Sequence, residues 1–422
     1  SPPKSILINS QAPTKAGVSF ATFSTTGLDS LQEKILIEAN NTNAKIILFI
    51  TKFLIFTKII IHPLNLVYFC NTSVIKMLII QNSISQELNN WLKDQNYSSI
   101  FILVDENTKK DCLSLIQLNK PFNLIEIESG EANKNLQTCQ FIWNYLLENF
   151  ANRNSLLINL GGGVITDMGA FCASTFKRGI DFINIPTSLL AMVDASIGGK
   201  TGVDFNGQKN MIGLFSEAKE VFIDALFLET LEDRQLLSGF AEVLKHGLIQ
   251  DEKYFNYCIE SFQNKTIDWK LVIEKSIEIK SSVVSQDPTE KGLRKVLNYG
   301  HTSGHAFESY SLLHHKNPLL HGEAVILGIL FSLKISEFYD LLSTQTIATI
   351  IEKLLNNYNF NTLESFDLEE VKSFCLNDKK KLSNKLNFIV LSSIGVAKYD
   401  FIVSEIAFEK AYDFILEMIS KK

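Results

Sequence analysis

The chain has 422 residues, enough for about two to three domains with a sizeable core. Its 40 basic and 46 acidic residues give a formal charge of −6 with no long basic run, which argues against nucleic acid as the main partner but leaves local lysines free to cluster around a small anion. Six scattered cysteines without a C-x-x-C spacing indicate neither a disulfide framework nor a thiolate zinc site, and a reducing cytoplasm fits best.

Residues 1–76 differ from the rest. A Ser-, Thr- and Asn-rich stretch leads into the apolar run 46–61, interrupted by Lys52 and Lys58. One charge at the centre of a spanning helix costs roughly 2.5–3.5 kcal/mol, so two argue against a membrane span. The run starts too far along the chain for a signal peptide, and the segment lacks the arginine-rich pattern of a transit peptide. Such an apolar run without a partner surface is an aggregation hazard. We therefore expect Met77 to be the natural start and residues 1–76 to be an atypical extension outside the fold.

From Met77 the pattern becomes regular. Residues 99–104 read as a buried strand that ends at Asp105, an acid placed where a ribose hydroxyl could be held. A second strand is expected at 122–127, a helix at 135–148 and a third strand at 155–160. That third strand runs into Gly161, Gly162 and Gly163, followed by a helix to about residue 174. Three glycines between strand and helix let backbone amides approach a diphosphate at the positive end of the helix dipole. A ligand-free tight turn would use the same residues, and the acid precedes the glycines, the reverse of the usual dinucleotide fingerprint. A further strand at 181–185 completes an alternation that predicts a parallel α/β sheet.

Beyond Leu231 the strand signals fade and helical periods dominate, over 236–249, 269–285, 324–342 and 345–356. The expected fold class is α/β: a Rossmann-like nucleotide-binding domain over 77–234, then an all-helical metal-binding domain over 235–422. In that second part His301 and His305 are four apart, one turn above each other on a helix, and His321 opens the next apolar helix. With Glu242 as the candidate acid, one carboxylate and two of these imidazoles would make the ligand set of a catalytic zinc with an open position. Histidines at this spacing are more often core or surface residues than ligands, so the surrounding motifs must decide.

Those motifs are GGGVITD (161–167), PTSLLAMVD (186–194), GGK (198–200), GQKN (207–210), AEVLK (241–245), RKVLNYGH (294–301) and HGE (321–323). Together, in order, they resemble the 3-dehydroquinate synthase family over about residues 77–400. Departures are small: Ser188 stands where a second Thr is common and Tyr299 where Phe is frequent.

The resemblance implies NAD and a divalent zinc or cobalt ion as cofactors, and a sugar phosphate, 3-deoxy-D-arabino-heptulosonate 7-phosphate, as substrate. It places Asp105, Asn107, Glu131 and Lys134 near the adenosine end of NAD, Gly162, Gly163 and Asp167 at the diphosphate, and Thr187, Ser188 and Thr230 along the nicotinamide. Asp194 would touch both NAD and a substrate hydroxyl. Lys200, Lys209 and Asn210 would surround the phosphate and adjoining cofactor groups, with Lys245, Lys280, Arg294, Asn298 and His305 completing the pocket and Lys380, or Lys379 beside it, as a further phosphate ligand. Glu242, His301 and His321 would hold the metal. Arg178 resembles an arginine lent to a neighbour's site, which implies a homodimer. Sister cyclases, a non-catalytic relative and a simple alcohol dehydrogenase are the competing possibilities. The intact ligand set disfavours the second and the lysine-rich pocket the third, while Lys280, Arg294, Asn298 and His305 favour the dehydroquinate enzymes over their sisters.

Overall fold

The computed structural model describes residues 77–80, 83–206, 208–377 and 385–420. Residues 1–76, Lys379 and Lys380 lie outside these, and so do the expectations that fall on them.

Strands β1 (Met77–Ile79), β2 (Ser99–Asp105), β3 (Asn123–Ile127), β4 (Ser155–Gly161), β5 (Asp181–Pro186) and β8 (Val221–Ile223) form one parallel sheet in the order β1-β8-β5-β4-β2-β3. Two inner strands explain their own sequences. Residues 100–104 of β2 and all of β4 are buried, as expected of strands covered on both faces, and hence they read as continuous apolar runs rather than alternations. Helices α1 (Ile84–Lys93), α2 (Glu106–Asp111), α3 (Leu136–Glu148) and α4 (Gly163–Thr175) are interleaved with the strands. Ser83 and Asn135 cap α1 and α3 through their side-chain oxygens, which is why these helices start there.

The chain leaves β2 for β3 on one side and returns to β4 on the other. The neighbouring carboxyl ends of β2 and β4 therefore flank a topological switch point, where open α/β sheets take their ligands. Asp105 stands at one end and the three-glycine turn at the other.

An antiparallel hairpin, β6 (Lys200–Phe205) with β7 (Gln208–Phe215), carries Lys200, Lys209 and Asn210. The short π-helical turn Ala191–Ala195 carries Asp194. The second part is helical: α5 (Asp233–Gln250), α6 (Glu252–Gln263), α7 (Trp269–Gln286), α8 (His301–His314), α9 (His321–Phe338), α10 (Thr344–Leu355), α11 (Leu368–Asn377) and α12 (Glu405–Ser420). One antiparallel hairpin, β9 (Leu386–Ser393) with β10 (Val396–Val403), lies between α11 and α12, so this part is not purely helical. Among the described residues no helix is long and apolar enough to cross a membrane.

Helices α8 and α9 approach so closely that a Cβ on Gly328 would lie 1.8 Å from the carbonyl oxygen of Gly300. Gly300, at φ +79°, is the residue from which α8 starts, and the left-handed turn there places His301 at the helix's first position.

Candidate active site

The glycine turn fits an anionic ligand. Gly162 is the N-cap of α4 and has no side chain with which to satisfy the first-turn amides. Gly161 is buried tightly, since a Cβ there would meet Ile165 at 2.6 Å, whereas Gly162 and Gly163 are half-buried. A Cβ on Gly162 would point at the Ser188 hydroxyl, 3.3 Å away. The glycines thus keep a cradle open between the helix terminus and Ser188. Thr187 donates its backbone N–H to Gly161 (3.0 Å), which ties the next loop to the turn. Thr230 lies nearby, its hydroxyl 3.9 Å from the sulfur of Cys112. Asp105 is half-buried and also caps α2, accepting from the Thr108 amide at 2.8 Å, while Asn107 is exposed on that helix.

The metal candidates converge from three helices. Glu242 of α5 is 0 % exposed, and neither of its oxygens has a partner in hydrogen-bond geometry. Its Oε1 faces Nε2 of His301 at 3.4 Å and Nε2 of His321 at 3.5 Å, and the Lys245 ammonium lies against Oε2. His305, one turn along α8 and half-buried, brings its ring centroid to 5.1 Å from His301 and 5.6 Å from His321. Ring nitrogens of all three histidines lie within 4.8 Å of one another. Glu242 Oε1 and the His301 and His321 nitrogens thus face one another with His305 beside them, an arrangement able to take a cation.

Burial and neighbouring charges set the charge state of each group. Burial alone would raise the Glu242 carboxyl, but the Lys245 ammonium and the two imidazoles hold it well below the usual carboxylate range. Burial keeps the His301 imidazole well below its ordinary value despite Glu242, and so neutral and able to ligate. Burial would lower His321 as well, but the carboxylates of Glu308 and Glu242 raise it to about 10.

A second cluster adjoins the first. Lys280 of α7 donates to Asp194 Oδ1 and to its carbonyl oxygen, both at 2.6 Å, and Lys245 stands 3.8 Å from the same Oδ1. Burial opposes ionisation of Asp194, but these two ammonium groups hold its carboxyl far below the ordinary value. Arg294 donates to the carbonyls of Pro288 (2.6 Å) and Gly198 (3.0 Å), which fixes the guanidinium plane while using two of its five donors. Glu290 pairs with both Lys200 and the Asn298 amide.

On the cofactor side Lys134 donates to Asp167 (2.7 Å) and to Asn210 (2.8 Å). Lys209 bridges Glu131 (2.8 Å) and Glu308 (3.3 Å).

Most of the residues picked out from the sequence therefore join a few linked clusters. Arg178 does not: it is exposed at the turn after α4, with φ +69°. Three residues had no part in the sequence argument. Glu308 lies on α8 three residues after His305, and an acid on that face was the signal for it. Glu290 sits in a loop at φ +58° with nothing in its sequence neighbourhood to mark it. His246 follows Lys245, is fully buried with neither ring nitrogen hydrogen-bonded, and lies 4.0 Å from Asp194 Oδ1. Burial and the Lys245 charge push it down to about 3.

Comparison with known proteins follows these contours. Residues 124–238 match the family model described as 3-dehydroquinate synthase N-terminal, and residues 239–381 the one described as 3-dehydroquinate synthase C-terminal. The chain is 39 % identical over 347 residues to a 3-dehydroquinate synthase of Parabacteroides distasonis, covering 81 % of this chain and 98 % of the relative. It is 40 % identical over 305 residues to that of Ruminiclostridium cellulolyticum, covering 70 % and 83 %. Among solved structures it resembles a 2-epi-5-epi-valiolone synthase of Streptomyces hygroscopicus with NAD+ and Zn2+ bound, with TM-score 0.73, 22 % identity, and 83 % and 99 % coverage. A 2-deoxy-scyllo-inosose synthase with carbaglucose-6-phosphate, NAD+ and Co2+ gives TM-score 0.69 at 21 % identity, covering 80 % and 95 %. An iron-containing alcohol dehydrogenase gives 0.52 at 13 %, covering 85 % and 100 %. At these identities the structures bear on the fold.

Proposed function

This chain belongs to the 3-dehydroquinate synthase family, and from that premise we propose how its own side chains carry the reaction. The reaction takes 3-deoxy-D-arabino-heptulosonate 7-phosphate to 3-dehydroquinate and phosphate by transient oxidation, loss of phosphate, re-reduction and intramolecular aldol closure. When bound, NAD supplies the hydride acceptor and donor, and a divalent zinc or cobalt ion, as in the two cyclase structures, supplies a Lewis acid for the substrate hydroxyls.

Glu242, His301 and His321 would hold the ion. The observation that carries this assignment is the fully buried Glu242 carboxylate, whose Oε1 is faced by two imidazole nitrogens while Oε2 lies against the Lys245 ammonium. The cradle of Gly162, Gly163 and Ser188 would take the diphosphate of NAD, and Asp105 its ribose, through the oxygen that does not cap α2.

Oxidation of a ring hydroxyl acidifies the neighbouring C–H and opens an elimination route for a phosphate that direct displacement would not release. The chain prepares that step by charge. Lys200, Lys209, Asn210 and Asn298 would gather the phosphate. Arg294, its plane already fixed by two carbonyls, would present its remaining N–H groups to the carboxylate. Asp194, kept ionised by Lys280 and Lys245, would orient a substrate hydroxyl. His305, beside the ligand pair, is the group suited to move a proton at its imidazole during elimination. Cysteines scattered along the chain without a C-x-x-C spacing accord with the cytoplasm as the place of work.

His321→Ala tests the assignment. We expect tight metal binding and turnover to be lost while the circular dichroism spectrum is kept; retention of metal and activity would remove His321 from the ligand set.

A further inference from the structure

The geometry points to Glu308 as the positioning residue for His321, a buried carboxylate that fixes which ring nitrogen faces the metal. This inference rests on the ligand set proposed above. Glu308 is buried on α8, seven residues beyond His301, and its Oε2 lies 3.2 Å from Nδ1 of His321. The carboxylate, paired on its other oxygen with the Lys209 ammonium, offers Nδ1 an acceptor, so the N–H between the two belongs on Nδ1. Nε2, 3.5 Å from Glu242 Oε1, is then the nitrogen that faces the metal position, and the ion would take the place of the proton it carries in metal-free protein.

His321 needs such help more than its fellow ligand. His301 is buried and its Nδ1 is satisfied by the Tyr299 carbonyl at 3.2 Å. His321 is the first residue of α9 and its side chain is 26 % exposed, so packing alone does not hold its ring. The other oxygen of Glu308 is held in turn by Lys209 at 3.3 Å, which keeps the carboxylate from rotating away. Carboxylates behind ligating histidines of this kind also raise ligand basicity, and their loss typically costs about 10- to 100-fold in metal affinity.

The test uses the full chain stripped of metal by chelation. Glu308→Gln preserves volume and removes the charge, and zinc affinity is read by competition with a chromophoric chelator. The expected result is a dissociation constant raised by about 10- to 100-fold, with a thermal midpoint for the metal-free protein close to wild type. The visible spectrum of the Co2+-loaded protein should shift as well, because the ligand field at His321 changes; a merely structural ion pair would leave it in place. If Glu308→Gln does not fold, Glu308→Asp, which keeps the charge but withdraws it by one methylene, is read in the same two ways. A zinc affinity within twofold of wild type and a superimposable cobalt spectrum, alongside a His321→Ala protein that binds no metal, would overturn the role of Glu308 and leave the ligand set standing. If His321→Ala retains metal, the ligand set itself fails and this inference fails with it.

Discussion

Glu242 and His246 sit one turn apart on α5, both without exposed surface, and they meet burial in different ways. The carboxylate stays charged beside Lys245, whereas the imidazole stays neutral. In metal-free protein this has a consequence for stability against pH. His246 titrates near 3 in the folded state against about 6.5 unfolded, so its contribution is present above 6.5 and is lost as pH falls toward 3. His321 is raised to about 10, so its contribution is complete below 6.5 and is lost as pH rises toward 10. The depressed carboxylates of Glu242, Asp194 and Glu308 lose theirs only at more acid pH. Thermal midpoints of chelated protein measured from about pH 4 to about pH 9 should therefore peak near neutrality, at about 6.5. A profile that climbs steadily to the alkaline end would contradict these protonation states. At this scale the sequence shows the chemistry-bearing types and their helical spacing, which together with the surrounding motifs bring Glu242, His301 and His321 forward as candidates. It does not show Glu308 facing Lys209 or Glu290 facing Lys200, because those pairs exist only once distant segments meet.

Among the elements, the close crossing of α8 and α9 sets how His301 and His321 approach each other. His301 and His321 each open their helix, so a small change in the crossing moves both. Gly328→Ala would drive a methyl into the Gly300 carbonyl at 1.8 Å and separate the two helices. Overpacking of this sort costs about 1–3 kcal/mol, and here it should also weaken metal binding, although residue 328 touches no metal ligand set. Calorimetry and zinc titration of that variant check it, and unchanged values in both would mean that the helices can slide apart freely. The major strands and helices were legible from their periods. The hairpins were not: β6 and β7 contain Gly202 and Gly213 where strands usually carry bulk, and β9 and β10 lie between helical patterns. Lys200 and Lys209 are thus held on paired strands, not on a loose loop.

For the molecule as a whole, the sheet has its switch point between β2 and β4, beside the glycine turn, and the helices carry the cluster of histidines and carboxylates. We propose that the working form is a homodimer in which Arg178, exposed and held at positive φ, completes the partner's pocket. Mixing Arg178→Ala with His321→Ala protein tests this by complementation. Each variant alone should be inactive, and random re-pairing should recover up to about a quarter of wild-type activity, from one intact site in each mixed dimer. No recovery from stably re-paired subunits would place Arg178 in its own chain's site or outside the chemistry.

The central claim is that hydride leaves and returns to one substrate molecule held between NAD and the Glu242, His301, His321 metal site. The most direct test incubates the metal-loaded protein with heptulosonate 7-phosphate and far less NAD than substrate, following phosphate, dehydroquinate and absorbance of reduced cofactor together. The account predicts one phosphate and one dehydroquinate per substrate consumed, with no accumulation of NADH. Absence of phosphate release, or NADH formed in proportion to product, would contradict it.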